Sequence, residues 1–294
     1  MAAVIIDGRE TAKILRQKLN AEINTFKAQT GITPTLALLR VGDDPASVSY
    51  AGTIERGFKA AGLGFMPRLL PVSATQAEVV ALVKELNADP AIHGIMIQEP
   101  LPEGLDQPVI IAALAPDKDV DGVHPLNTGR LAQAAPVGRI DEGEETFFVP
   151  ATPAGGLALL KQHQIEIAGR HAVVVGRSII VGKPMALLLL RENATVTICH
   201  SRTQDLPALC RQADILCTAI GRARLVQGDW IKPGATVIDF GVNFENGKMC
   251  GDVDFEQGVQ VAGFITPMPG GTGPMTIVML MHNLLKAAKR IAAA

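Results

Sequence analysis

Three stretches of the chain join residue types and spacings that suit chemistry. The first is AVVVGRSIIVGKPM, Ala172 to Met185. A β-branched run, Val173-Val174-Val175, suits a buried parallel strand. A turn through Gly176-Arg177-Ser178 follows, with Val181, a second glycine at Gly182, and Pro184 where a first helical turn tolerates a missing donor. Strand, glycine turn and helix start together make an anion site, because free N–H groups and the positive helix end face one point. The spacing differs from G-x-G-x-x-G, and an ordinary βα turn explains this segment equally well by itself.

The second stretch ends the next strand, Thr195 to Cys199, at His200-Ser201-Arg202-Thr203. A nucleotide site for NAD places an acid there to bind the ribose 2′-hydroxyl, whereas basic residues suit a 2′-phosphate. No acid is present, and Arg177, Ser201 and Arg202 together favour NADP. Taken singly, Arg202 reads equally well as a solvated surface residue, Cys199 as a strand-end thiol and His200 as a hydrogen-bonded turn residue. The third stretch has two parts, Gln98-Glu99-Pro100-Leu101-Pro102 and Asp117-Lys118-Asp119-Val120-Asp121-Gly122-Val123-His124. The first part directly follows a strand, where ligands gather in open α/β sheets. For Asp117 and Asp119 solvated charge is the expected reading.

The elements that must position these residues alternate. A short strand is expected at Val4-Ile5-Ile6, then a helix to about Lys27, with Ile14, Leu15, Leu19, Ile23 and Phe26 on one face. A strand at Thr35–Leu39 leads to a helix opened by Asp43-Asp44-Pro45 and carrying Tyr50, Ile54, Arg56 and Lys59. Strands near Phe65–Leu70 and His93–Ile97 flank a helix over Ala74–Asn87. A polar loop from Ala134 to Glu145 marks a domain boundary. A second run of strands and helices follows, with strands at Ile215–Ala219, Thr236–Phe240 and near Val261–Ile265. A closing helix then packs back on the first domain. This alternation predicts a two-domain α/β protein with parallel sheets: residues 1–145 plus 275–294, and a Rossmann-type domain at 146–274.

Composition narrows the classes. A chain of 294 residues, 48% hydrophobic and 19% charged, is of globular type. A formal net charge of -2 argues against a nucleic-acid or polybasic membrane footprint. The four cysteines, Cys199, Cys210, Cys217 and Cys250, form no C-x-x-C pair, and no metal site is expected. No apolar run reaches the ~20 residues of a spanning helix, and the first residues lack a signal-peptide profile, so a soluble cytoplasmic protein is expected.

GRSxxVGxP at Gly176, Gln98-x-Pro100-Leu101-Pro102, PDKDVDG at Pro116–Gly122 and PGGTGPMT at Pro269–Thr276 occur in one order over nearly the whole chain. In this the sequence resembles the methylenetetrahydrofolate dehydrogenase/methenyltetrahydrofolate cyclohydrolase family. The resemblance implies a homodimer of one-carbon metabolism and purine biosynthesis, binding tetrahydrofolate derivatives on the first domain and NADP on the second. It implies that Tyr50 lies against the pterin and aminobenzoate of the folate, that Asp121 accepts hydrogen bonds from the pterin, and that Gln98 lines the same site. Pro100, Leu101, Pro269, Gly270 and Gly273 complete the implied folate site. The implied cofactor site comprises Gly176, Arg177, Ser178, Val181, Gly182, Cys199, Ser201, Arg202 and Val242.

Two residues depart from the family pattern. The family lysine four residues after the tyrosine, credited with proton handling, is Ile54 here. Isoleucine transfers no proton. Arg56 lies about 200° around the helix from that position, and Lys59 roughly 7.5 Å further along it, so neither stands in. Glu99 replaces an apolar residue. The expectation is a dehydrogenase whose cyclohydrolase step is weak or lost. Two rivals are a catalytically impaired folate- and NADP-binding paralogue acting as a regulatory partner, and a Rossmann dehydrogenase for another small substrate.

Overall fold

Apolar runs short enough for strands, separated by amphipathic runs, build two parallel sheets in a computed structural model that describes residues 2–137 and 146–293. Most of the expected boundary loop, 138–145, lies outside the described residues. In chain order the elements are β1 (Val4–Ile5), α1 (Gly8–Thr30), β2 (Thr35–Val41), α2 (Pro45–Ala60), β3 (Gly64–Leu70), α3 (Gln76–Ala88), β4 (Gly94–Ile97) and α4 (Gln107–Ala112). A 3₁₀ turn at Pro116–Lys118 leads to α5 (Pro125–Gln133). Then follow α6 (Ala151–Gln162), β5 (His171–Val175), α7 (Gly182–Arg191), β6 (Thr195–Cys199), α8 (Leu206–Cys210), β7 (Ile215–Thr218) and β8 (Thr236–Asp239). The hairpin β9 (Asn243–Glu245) and β10 (Lys248–Cys250) precedes α9 (Phe255–Val261), β11 (Phe264–Ile265) and α10 (Thr272–Ala293).

The chain divides into two units. One comprises Leu15–Gly129, Thr146–Ala151 and Leu280–Ala294, around a three-stranded parallel sheet in the order β3-β2-β4. Its central strand reads TLALLRV and is buried on both faces, as an inner parallel strand must be. Ala37, Leu39, Val41, Ile95 and Ile97 pack with Val79, Val83 and Leu86 of α3 and Ile110 of α4. Leu39 pairs with Ile97, so β2 and β4 end level, and Gln98 N–H continues the ladder onto Leu39 O at 2.9 Å. The end of α10 belongs to this unit, as expected of the closing helix: Asn283 Nδ2 donates to Val120 O (2.8 Å) and Val149 O (3.0 Å).

The other unit comprises Met1–Ile14, Arg130–Glu145 and Thr152–Met279, around a six-stranded sheet in the order β1-β11-β8-β7-β5-β6, parallel at every pairing. Its strand ends are level, through Val175 with Cys199, Val175 with Thr218 and Thr218 with Asp239. The chain leaves β5 for β6 on one side and β7 lies on the other, which makes the end of β5 a switch point.

Three sequence expectations change here. Val4-Ile5 is a strand, but it pairs with Phe264-Ile265 in the six-stranded sheet, so the first residues cluster with that unit. The two-residue strand carries no pattern that names its partner. Val261 ends a helix capped by Asp254, whose carboxylate accepts from Gln257 N, and the strand begins at Phe264. The closing helix starts at Thr272, ahead of Thr276.

Candidate functional site

In the three-stranded unit the candidate residues gather at the carboxyl ends of β2 and β4. Asp44 caps α2, accepting from Ser47 N at 2.8 Å, with Pro45 in the first turn. That fixes the start of α2 against the loop after β4. Gln98 Nε2 donates to Ser47 O at 2.6 Å, and Ser47 Oγ reaches Glu99 O at 3.5 Å. Gln98 is 2% exposed, and its Oε1 is buried without a hydrogen-bond partner. A buried acceptor left unpaired is costly, so this oxygen is a natural docking point for a ligand donor. Glu99 is half-buried; its carboxylate accepts from Leu101 N at 3.2 Å and from Gln107 Nε2. The Glu99–Pro100 peptide is cis, with Pro100 exposed and Leu101 half-buried.

The expectation of solvated charge fails at Asp119, which is fully buried. It accepts from Val123 N (3.1 Å), His124 N (2.8 Å) and Asn127 Nδ2 (2.8 Å), so it ties the loop on itself. A signal for this exists in the sequence: backbone donors just after an aspartate are its usual partners in turns. Lys118, in the same loop, donates to Leu86 O, Asn87 O and Asp89 O at the end of α3. Asp117 is exposed, as expected. At Gly122, with φ +72°, a Cβ would stand 2.5 Å from Pro150 N, so the turn requires glycine.

This loop places Asp121 deep in protein while leaving it some accessible surface. Burial pushes its carboxyl up to about 8, and the neighbouring Asp119 and Glu99 charges add to the rise. Tyr50 is half-buried, and its phenol is pushed up by burial and then by the Asp121 charge. Burial also raises Glu99, against the hydrogen bonds from Leu101 and Gln107. Tyr50, Gln98, Glu99 and Asp121 therefore share one site. Ile54 is 0% exposed, on the buried face of α2 with Ser47 and Phe58. Arg56 and Lys59 are exposed; Arg56 Nη2 donates to Thr53 Oγ1 and Lys59 pairs with Glu55. Neither cation pairs with Glu99 or Asp121, as expected from the angular offset of Arg56 and the axial distance of Lys59.

In the six-stranded unit, Gly176 has φ +141°, and a Cβ there would meet Ala219 O at 2.3 Å. Gly182 is as tight: a Cβ there would stand 2.3 Å from Gly176 O. Ser178 Oγ accepts from Val181 N (3.1 Å) and Gly182 N (3.2 Å), so it holds the start of α7. Arg177, Ser201 and Arg202 are exposed, Val181 is half-buried and Cys199 is fully buried. A buried Cys199 offers a ligand its backbone only, and its carbonyl already accepts from Gly176 N at 2.9 Å. His200 is a turn residue, with its Nδ1 accepting from Arg202 N.

Two buried carboxylates that sequence reasoning missed fix the loops beside this turn. Asp252 accepts from the N–H groups of Ile220 (2.6 Å), Gly221 (3.2 Å) and Arg222 (2.9 Å) and from Asn243 Nδ2 (2.9 Å). Asp239 accepts from Thr218 Oγ1, Gly241 N, Asp252 N and Val253 N. Between them Val242 is held exposed. Pro269, Gly270 and Gly273 belong to this unit too. Met268–Pro269 is cis, Gly270 O accepts from Gly8 N, and Gly273 is exposed in the first turn of α10. A tight glycine turn that only a Cβ-free backbone fits, with two exposed guanidinium groups and no acid at the end of β6, suits a 2′-phosphorylated dinucleotide. A separate cavity of about 340 Å³ lies at the opposite, amino ends of β7 and β8, and its charged groups pair internally as Arg170–Glu166 and Lys232–Asp214. Among the described residues no group of histidine, cysteine or acidic side chains is arranged to hold a metal, and no helix is long and apolar enough to cross a membrane.

Residues 6–121 match the family model of the tetrahydrofolate dehydrogenase/cyclohydrolase catalytic domain, and residues 150–292 that of the NAD(P)-binding domain of the same family. A protein of Roseiflexus named bifunctional protein FolD is 50% identical over 291 residues, 99% of this chain and 98% of its own. The structure of a Campylobacter jejuni bifunctional methylenetetrahydrofolate dehydrogenase/cyclohydrolase superposes with TM-score 0.91 at 41% identity, covering 98% of this chain and 99% of that one. A Trypanosoma brucei methylenetetrahydrofolate dehydrogenase-cyclohydrolase, solved with NADP and an inhibitor, gives TM-score 0.93 at 36% identity, covering both chains fully.

Proposed function

This chain belongs to the tetrahydrofolate dehydrogenase/cyclohydrolase family, and we propose that it oxidises 5,10-methylenetetrahydrofolate to the methenyl form with NADP while hydrolysing the methenyl form slowly. The observation that carries the reading is the convergence of Tyr50, Gln98 and Asp121 at one strand end, with the Gln98 Oε1 acceptor unpaired. Asp121 takes the pterin amino group and ring N–H, which a carboxylate accepts together. Gln98 Oε1 takes a further donor, and Tyr50 lies along the flat ring system. Pro100 and Leu101 border the same site, and the family resemblance adds Pro269, Gly270 and Gly273 to the folate contacts.

NADP, when bound, accepts the hydride that leaves the methylene carbon. Arg177, Ser201 and Arg202 hold its 2′-phosphate end. Gly176, Ser178, Val181 and Gly182 receive the phosphates, and Cys199 and Val242 border it. Loss of the hydride leaves a positive charge over N5, the carbon and N10 of the folate. This step needs alignment more than a protein base. Ring opening is different: water must lose a proton and a ring nitrogen must gain one. Ile54 can do neither, so the second step is slow. The reading includes a homodimer, a cytoplasmic setting, and supply of one-carbon units to purine biosynthesis. The Roseiflexus and Campylobacter relatives are named as bifunctional, which favours turnover over the role of a partner protein.

Purified protein assayed with methylenetetrahydrofolate should form NADPH readily, with NAD a poor substitute. Methenyltetrahydrofolate should disappear little faster with enzyme than without. Absence of NADPH formation would refute the dehydrogenase, and rapid hydrolysis would refute the role given to Ile54.

A further inference from the structure

We propose that Glu99 makes this site selective for methenyl folate, positively charged over N5, the carbon and N10, against folates neutral at those atoms, an inference that rests on the folate reading above. The carboxylate is fixed by Leu101 N and Gln107 Nε2, neither of which carries charge. Among the described residues no lysine or arginine forms an ion pair with Glu99 or Asp121. The side chain one turn beyond Tyr50 is the apolar Ile54, and the two cations that follow on α2 are engaged with Thr53 and Glu55. Beside Glu99, the buried Gln98 keeps an acceptor with no donor.

Among the described residues the site thus shows acceptors and carboxylates and no ion-paired counter-charge. Burial raises both Glu99 and Asp121, and the Glu99 charge adds to the cost of ionising Asp121. A positive charge placed beside these groups removes that cost; a ring system neutral at the same atoms does not. Of the folates in the reaction, only the methenyl form is cationic at its reacting atoms. Asp121 is occupied by the pterin donors, which leaves Glu99 to meet that charge. Because it is already oriented, it also favours the charge as it develops during hydride loss. It opposes hydrolysis, which discharges the cation. Glu99 and Ile54 therefore act in the same direction, and the site keeps methenyl folate as its product.

The test measures dissociation constants of methenyltetrahydrofolate and tetrahydrofolate for the full-length protein, Glu99→Gln and Gln107→Leu, with melting curves for each. Glu99→Gln should weaken methenyl binding about tenfold, as loss of one partly screened charge pair would, and change tetrahydrofolate binding less than about twofold. Dehydrogenase kcat/KM should fall with the methenyl affinity. Gln107→Leu frees the carboxylate without discharging it and should keep the preference for the cation. Equal losses for both folates, unchanged methenyl binding, or loss of the preference in Gln107→Leu would overturn the role of Glu99. Failure of the unsubstituted protein to bind tetrahydrofolate would instead remove the folate reading itself.

Discussion

Replacing Ile54 with lysine tests the chemistry and the packing at once. Ile54 is fully buried on the inner face of α2, between Ser47 and Phe58. Removing that side chain forfeits about 1.5–3 kcal/mol of apolar burial. The lysine stem recovers part of this by packing along the same surface. Its ammonium is buried, but it arrives one turn beyond Tyr50, where Glu99 and Asp121 lack a counter-charge. A net loss of about 2 kcal/mol is expected, which lowers the melting temperature by roughly 4–8 °C for a unit of this size. The gain is a group able to move a proton. Positioned acid–base groups are worth about 10²–10⁴ in rate, so methenyl hydrolysis should rise by at least about 10². Absorbance decay of methenyltetrahydrofolate gives the rate, and a thermal scan gives the stability. Ile54→Met, close in volume, should keep the stability and leave hydrolysis slow. The reasoning fails if the lysine variant folds and binds methenyl folate but hydrolyses it no faster than the parent, or if the methionine variant gains the same activity.

Three further outcomes follow from the same geometry. Asp121 holds its proton up to about pH 8 in the folded, unliganded protein, while unfolded chains lose it near the ordinary value of 3.8. Its contribution to stability is therefore present at low pH and is lost as pH rises through that interval toward 8. On the proposed pterin role, which needs the ionised form, tetrahydrofolate affinity should rise about fivefold between pH 7 and 8; Asp121→Asn should melt higher at pH 8 than the parent and bind no folate, measured by parallel melts and titrations. Gly176→Ala forces a methyl to 2.3 Å from Ala219 O, so NADP affinity should fall at least about tenfold in a calorimetric titration while tetrahydrofolate binding persists. Arg202→Glu should weaken NADP by about 10–100-fold and leave NAD less affected, read from the ratio of KM values.

How much of this could be read from sequence depended on how local the determinant was. Strands such as Thr195–Cys199 and the Asp44 cap of α2 matched because each is specified by adjacent residues. Tyr50, Gln98 and Asp121 were legible as a set through the family resemblance, and their spacing alone would not have joined them. Asp119 misled because a cluster of acids in sequence looks solvated, whereas three donors within the next eight residues satisfy it in the interior. The partner of β1 could not be read, since Val4 and Ile5 find it some 260 residues away. Asp239 and Asp252 were silent for the same reason: their partners come from loops scattered across the unit. The unpaired oxygen of Gln98 is visible only once Ser47 has claimed the other half of the amide.

The grip of Asn127 on Asp119 reaches further than the loop it closes. Asn127 donates to Asp119 Oδ2 and Pro116 O, and accepts from Phe148 N at 3.3 Å. Asp119 in turn sets part of the acidity of Asp121. The proton affinity of Asp121, the carboxylate proposed to take the pterin donors, is thereby placed under the control of Asn127, which lies outside the proposed folate contacts. Two descendants of this chain with identical pockets can differ in working pH through drift at Asn127 or at the backbone of Phe148 alone. Adaptation to an acidic or alkaline habitat can proceed there, with every ligand contact left as it was.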